Sequence, residues 1–107
     1  ELLVFEGSEP PPITAEGYVR RIADYGGCSP CCFIVAVIYL QRMKQALPGL
    51  LLTRLNFQRL FLLPVMLASK FLDDKYYSNQ QWADVGGMSL PELNVLEGRT
   101  LRMLGFR

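Results

Sequence analysis

Two charges stand out for where they lie along the chain. Lys70 follows Val65-Met66-Leu67-Ala68-Ser69, and Glu97 follows Leu93-Asn94-Val95-Leu96. Both runs read as largely apolar helical faces, where a charge is costly unless a partner meets it. One cation and one anion on separate helices suit polar docking to another protein better than bond-making chemistry. The plain alternatives are a lysine that snorkels to solvent and a glutamate that pairs with Arg99 or Arg102. As separate partner-facing charges, each is expected to change the free domain's stability by less than about 1 kcal/mol when removed.

The other reactive side chains are harder to assemble into a catalytic centre. Asp73-Asp74 are adjacent at a helix end, so they do not converge on one substrate as an acid/base pair must; a structural or partner-contact role is expected. Cys28, Cys31 and Cys32 form Cys-Ser-Pro-Cys-Cys. A closed zinc site needs about four ligands, and the chain has no histidine and no fourth cysteine. A thioredoxin-like site belongs to a βαβ context, whereas the residues that follow here are helical. Buried structural thiols in a reducing compartment are the expectation. No phosphate loop of the G-x-x-x-x-G-K type occurs. Tyr76, Tyr77 and Trp82 are expected to pack in the core rather than stack on bases. The chain is therefore read as non-enzymatic, with no cofactor, no metal and no small-molecule substrate.

Composition sets further bounds. The 107 residues suffice for one core, and 50% hydrophobic with 20% charged residues and a net charge of +1 is an ordinary globular profile. That balance argues against bulk nucleic-acid binding. Between Tyr25 and Leu72 the only charges are Arg42, Lys44, Arg54, Arg59 and Lys70, either a solvated helix surface or a basic face for an acidic partner. The apolar run Cys31 to Leu40 is about half the length of a membrane span. The longer run Leu50 to Leu72 is broken by three cations, Arg54, Arg59 and Lys70. No secretory pattern opens the chain, so an intracellular domain, in cytoplasm or nucleus, is expected without a membrane partner.

The elements that must position these residues are punctuated by caps and breakers. Residues 1–12 end in Pro10-Pro11-Pro12 and read as an extended N-terminal arm. Thr14 caps a first helix that carries Tyr18, Val19 and Ile22 and stops at Gly26-Gly27. Ser29-Pro30 offers an N-cap and N1 proline for a second helix, Cys31 to about Ala46. Because it is apolar nearly all round until Arg42, it is expected to be the central buried helix. A third runs from near Asn56 to Leu72 with Leu60, Leu63, Leu67 and Phe71 on one face. Pro64 either kinks it or marks its first turn. Ser78 caps a fourth helix ended by Gly86-Gly87, and Ser89-Leu90-Pro91-Glu92 reads as a capping box for a fifth, ended by Gly105. The fold class is all-α, a five-helix orthogonal bundle.

The order Tyr18-Val19-Arg20-Arg21-Ile22, Cys28-Ser29-Pro30, Tyr39-Leu40-Gln41-Arg42, Leu67-Ala68-Ser69-Lys70-Phe71-Leu72-Asp73-Asp74, Tyr76-Tyr77-Ser78-Asn79, Val85-Gly86-Gly87 and Leu93-Asn94-Val95-Leu96-Glu97 closely resembles the cyclin box. More narrowly it resembles the P/U-type cyclins, which include the phosphate-responsive ones. The resemblance covers residues 13–107, a single cyclin-box domain after the arm. It implies a non-catalytic regulatory subunit that binds and activates a cyclin-dependent protein kinase by positioning its αC helix. On that pattern Lys70 and Glu97 contact the kinase backbone, and Arg21 helps hold the region together, with Arg20 as the substitute if the register slips by one.

Three departures qualify what is carried over. Gln41 stands where the family usually has an aspartate, which removes an expected charged partner for Arg21. Pro64 takes a place usually held by a small helix-compatible residue. The Met-Arg-Ala-Ile-Leu substrate-docking motif of the cell-cycle cyclins is absent from the first helix. The alternative function is a cyclin-like helical adaptor for DNA or a transcription-factor peptide, with Arg42 to Lys70 as its footprint and a steep salt dependence as its signature.

Overall fold

In a computed structural model, which describes residues 2–7 and 12–105, one short 3₁₀ helix (Leu2–Phe5) precedes five α-helices. These are α1 Ala15–Tyr25, α2 Cys31–Ala46, α3 Phe57–Leu72, α4 Asn79–Gly86 and α5 Leu90–Met103. Among the described residues there is no strand, and no helix is long and apolar enough to cross a membrane.

Local chemistry accounts for most helix ends. Thr14 Oγ1 accepts from Gly17 N at 3.0 Å to start α1, and Gly26 N donates to Ile22 O to finish it. Ser78 and Gln81 form a reciprocal capping box at α4, and Gly87 closes that helix at φ 76°, a left-handed backbone that glycine adopts without strain. Ser89 Oγ accepts from Glu92 N at 3.3 Å. The other half of the expected box is not made, because the Glu92 carboxylate turns instead to Arg59 on α3. Ser29 is likewise not a side-chain cap for α2: Pro30 occupies the cap position, and the Ser29 hydroxyl is taken by Asp73.

The centre of the molecule is α3, not α2. From Leu62 to Ser69 every α3 residue is buried, and Leu60 is too. All-round burial requires neighbours on every side, and α3 packs against each of the other four α-helices. By contrast α2 buries one stripe, Cys32, Ala36, Tyr39 and Met43, and leaves Ile34 68% exposed. An apolar sequence permits burial but does not supply neighbours. Burial on α3 ends at Ser69, so Phe71, placed by its spacing on the inner face, is exposed. Pro64 is the eighth residue of α3, well past the first turn.

Aromatic side chains join α3 to its neighbours. The Tyr18 ring meets Phe57 and Phe61 edge-on at 6.5 and 6.4 Å, and Phe33 stacks on Phe61. Tyr18 donates its hydroxyl to Gly86 O at 2.9 Å, tying α1 to the end of α4. Burial raises the Tyr18 phenol far above its ordinary pKa, partly offset by the Arg59 and Arg21 charges. Trp82 is fully buried and packs against Tyr77, as expected, whereas Tyr76 is exposed. Residues Leu2–Phe5 depart from the extended arm expected over 1–12: they form the 3₁₀ helix and bury Phe5 completely, and Gly7 N donates to Leu55 O. Pro10 and Pro11 lie outside the described residues.

Candidate functional site

The last turn of α3, the first residue of α4 and the middle of α5 converge on one polar cluster. The capping box at Ser78 starts α4 so that Asn79 occupies its first turn, and the Ser89 cap sets the start of α5, which carries Asn94 and Glu97. Lys70 Nζ donates to Glu97 Oε2 and to Asn79 Oδ1, each at 2.5 Å. Asn79 Nδ2 donates to Glu97 Oε1 and to Asn94 Oδ1, each at 2.8 Å. The Lys70 and Glu97 side chains are 25% and 18% exposed. They are therefore neither independent surface charges nor fully sealed ones.

This goes beyond both plain readings of the pair. Lys70 does not snorkel alone, and Glu97 has Lys70 as an ion-pair partner. Asn79 was given no role of its own by the sequence. Its cues were its place after a capping serine and in the Tyr76-Tyr77-Ser78-Asn79 segment, and neither reveals that it spans Lys70 and Glu97. An ammonium has three donors and a carboxylate oxygen two lone pairs, so after these bonds Lys70 keeps one N–H and Glu97 keeps acceptor capacity. The cluster can bind a peptide backbone, which offers one donor and one acceptor per residue, without first breaking itself.

Arg21 lies in a separate contact. Its Nε donates to Val85 O at 2.7 Å near the end of α4, and its guanidinium lies 5.8 Å from the Tyr25 ring centre. The acceptor is a backbone carbonyl of the helix α1 packs on, so no aspartate is needed at position 41. Arg20 forms an exposed pair with Glu16. A pair the sequence did not disclose is Arg59 with Glu92, made through Nε at 2.6 Å and Nη2 at 3.3 Å, which fastens the start of α3 to the start of α5.

Asp73 has a structural role. Ser29 Oγ donates to Asp73 Oδ1 at 2.6 Å and Ser29 N to Oδ2 at 3.2 Å, with Ser69 Oγ and Cys32 Sγ also on Oδ2. The hydroxyl and N–H of Ser29 hold the Asp73 carboxyl below its ordinary pKa. The clasp locks the end of α3 to the entry of α2, one turn from Lys70. Burial, with Cys32 and Asp73 nearby, pushes the Cys28 thiol up to about 11, and burial raises Cys32 as well. Thiols held neutral are poor nucleophiles and poor metal ligands. All three cysteines are free, but Cys31 is exposed and Cys28 only half-buried, so the expectation of buried thiols holds for Cys32 alone. Among the described residues no group of three or more His, Cys, Asp or Glu side chains is arranged to hold a metal ion.

Four helices around a buried third one, with a polar cluster where the third, fourth and fifth meet, define an all-α box. The cyclin family model matches residues 1–107, and the chain belongs to that family. It is 48% identical over 103 residues to Cyclin-U4-1 of Arabidopsis thaliana, covering 96% of this chain and 51% of the relative. It is 42% identical over 106 residues to Cyclin-U1-1 of the same plant, covering 99% and 50%. With Cyclin-P4-1 of Oryza sativa it shares 44% over 93 residues, covering 87% and 44%. The chain thus spans about half the length of these curated relatives, each of which is named as a P- or U-type cyclin.

Proposed function

We propose that this chain is a non-catalytic regulatory domain that binds and activates a cyclin-dependent protein kinase by positioning its αC helix. Lys70 and Glu97 form the polar contact to the kinase backbone, and Arg21 braces α1 against α4 behind it. The observation that carries this reading is the Lys70–Asn79–Glu97 cluster: a pre-assembled, partly exposed donor and acceptor pair held by three helices. An active kinase needs its αC glutamate paired with the β3 lysine, and a regulator that binds only that αC position selects it from the ensemble. Because the cluster is already ordered, little side-chain entropy is lost when the kinase arrives. The partner class goes with action in the cytoplasm or nucleus. The DNA-adaptor alternative is weakened, since Arg59 and Lys70, two cations of its footprint, are spent on Glu92 and Glu97.

The test is affinity for a panel of purified cyclin-dependent kinases, with circular dichroism confirming that each variant is folded at the assay temperature. Lys70→Ala and Glu97→Ala should each weaken binding to the cognate kinase by about 2 kcal/mol, because desolvated polar groups on the kinase lose their partners. Kinase activity in the complex should fall in parallel. Normal binding and activation by both folded variants would show that the cluster only holds the domain together.

A further inference from the structure

The side of α2 that faces away from α3 is an aliphatic stripe. Ile34, Val37 and Ile38, at i, i+3 and i+4, are 68%, 54% and 43% exposed, and Leu51 and Leu52 on the α2–α3 connection are 70% and 53% exposed. Val37, Leu51 and Leu52 line one groove of about 300 Å³ whose wall also includes Lys44. Single exposed aliphatic residues are ordinary, but a contiguous set of this kind marks a contact surface. Its rim is one-signed. No carboxylate occurs between Tyr25 and Leu72 or in the wall of the groove, Arg42 and Lys44 are exposed on the last turns of α2, and of the two acids that flank this stretch in sequence Asp24 lies on α1 and Asp73 is held by Ser29 at the opposite end of the helix.

We infer that this face docks an acidic amphipathic helix of a partner protein. Aliphatic side chains at helical spacing lie along the Ile34–Val37–Ile38 stripe and enter the groove, while carboxylates flanking them meet Arg42 and Lys44. The mode is a helix laid in a groove: apolar contact supplies affinity, and charge sets partner choice and association rate. A second copy of this chain fits less well, since its own stripe would bring the same two cations. None of these residues belongs to the Lys70 cluster, so this inference and the kinase reading fail separately.

The probe is a synthetic 18-residue helix with leucines at i, i+3, i+4, i+7 and i+11 and glutamates beside them, compared with the same peptide carrying lysines in their place. Fluorescence anisotropy at low ionic strength should show the glutamate peptide binding at least tenfold more tightly. Val37→Glu, at an exposed site that leaves the helix content unchanged, should weaken it tenfold or more. Lys44→Glu should reduce the preference between the two peptides several-fold. Equal affinity for both peptides, no binding of either, or binding that ignores Val37→Glu would overturn the inference. So would a dimer at micromolar concentration that Val37→Glu dissolves, or capture by phosphatidylserine vesicles in place of the peptide. Repeating the titration on the full-length gene product covers the protein's own chain as occupant: loss of peptide binding there would also overturn it.

Discussion

Removing either charge of the Lys70–Glu97 pair should destabilise the free domain, and the two losses should not add. Glu97→Ala takes from Lys70 its only carboxylate partner in the cluster and from Asn79 one of its two acceptors, leaving the ammonium with Asn79 Oδ1 alone. Exposed ion pairs contribute about 0–1 kcal/mol, and breaking a fully buried pair costs about 3–5 kcal/mol. Side chains 25% and 18% exposed fall between these limits, and a lost hydrogen bond to a charged group costs about 1.5–3 kcal/mol. The expected loss is therefore about 2 kcal/mol for each single variant, or a drop in Tm of roughly 8 °C at about 4 °C per kcal/mol. This exceeds the limit of about 1 kcal/mol that separate charges would set. In the double variant no charge is left unpaired, so a coupling of about 1 kcal/mol or more should appear in the cycle. Urea unfolding followed by circular dichroism on the four proteins measures it. Additive single effects below about 0.5 kcal/mol would refute the argument, since the pair would then carry no weight in the free domain.

Three further outcomes follow from other parts of the fold. Pro64→Ala should restore an N–H for Leu60 O inside α3, recovering part of the roughly 3 kcal/mol proline cost; less about 0.8 kcal/mol for each buried methylene removed, the net should be a gain of about 1 kcal/mol in urea unfolding. Gly86→Ala should destabilise by about 1–3 kcal/mol, because its Cβ would stand 2.2 Å from Leu62 Cδ2 and the clash would also disturb the Tyr18 bond to Gly86 O; an unchanged Tm would contradict the close packing of α4 on α3. Stability should fall at both ends of the pH range. The Cys28 thiol, raised from 9.0 to about 11, holds its proton longer folded than unfolded, so stability declines as pH rises from about 9 through 11, with Tyr18 adding to the loss above 10. Asp73 is lowered, so its contribution is present above 3.8 and is lost as pH falls below that value. Thermal melts across pH 3–11 with Cys28→Ser and Asp73→Asn variants would locate both losses, and a flat profile would refute the assignments.

The local features of this chain were legible from its residues because their causes lie within a few positions. Thr14 reaches Gly17, Ser78 reaches Gln81 and Ser89 reaches Glu92, each three residues away, and Gly87 must be glycine for the turn it makes. Helix number and order, the spaced cyclin-box pattern and the positions of Lys70 and Glu97 are all properties of this kind. What the tertiary structure alone decided is which partners meet. Both α2 and α3 are apolar enough to be central, and only the packing of four helices around α3 tells them apart; α2 keeps one face in solvent because nothing in the described residues covers it. The same holds for the polar contacts. Ser29 with Asp73, Arg59 with Glu92 and Lys70 with Glu97 span 44, 33 and 27 positions, and no periodicity or cap rule reaches that far. A side chain's partner at such distances is set by how helices pack, and that packing took Ser29 from its cap and Glu92 from its box, and turned two isolated charges into one cluster.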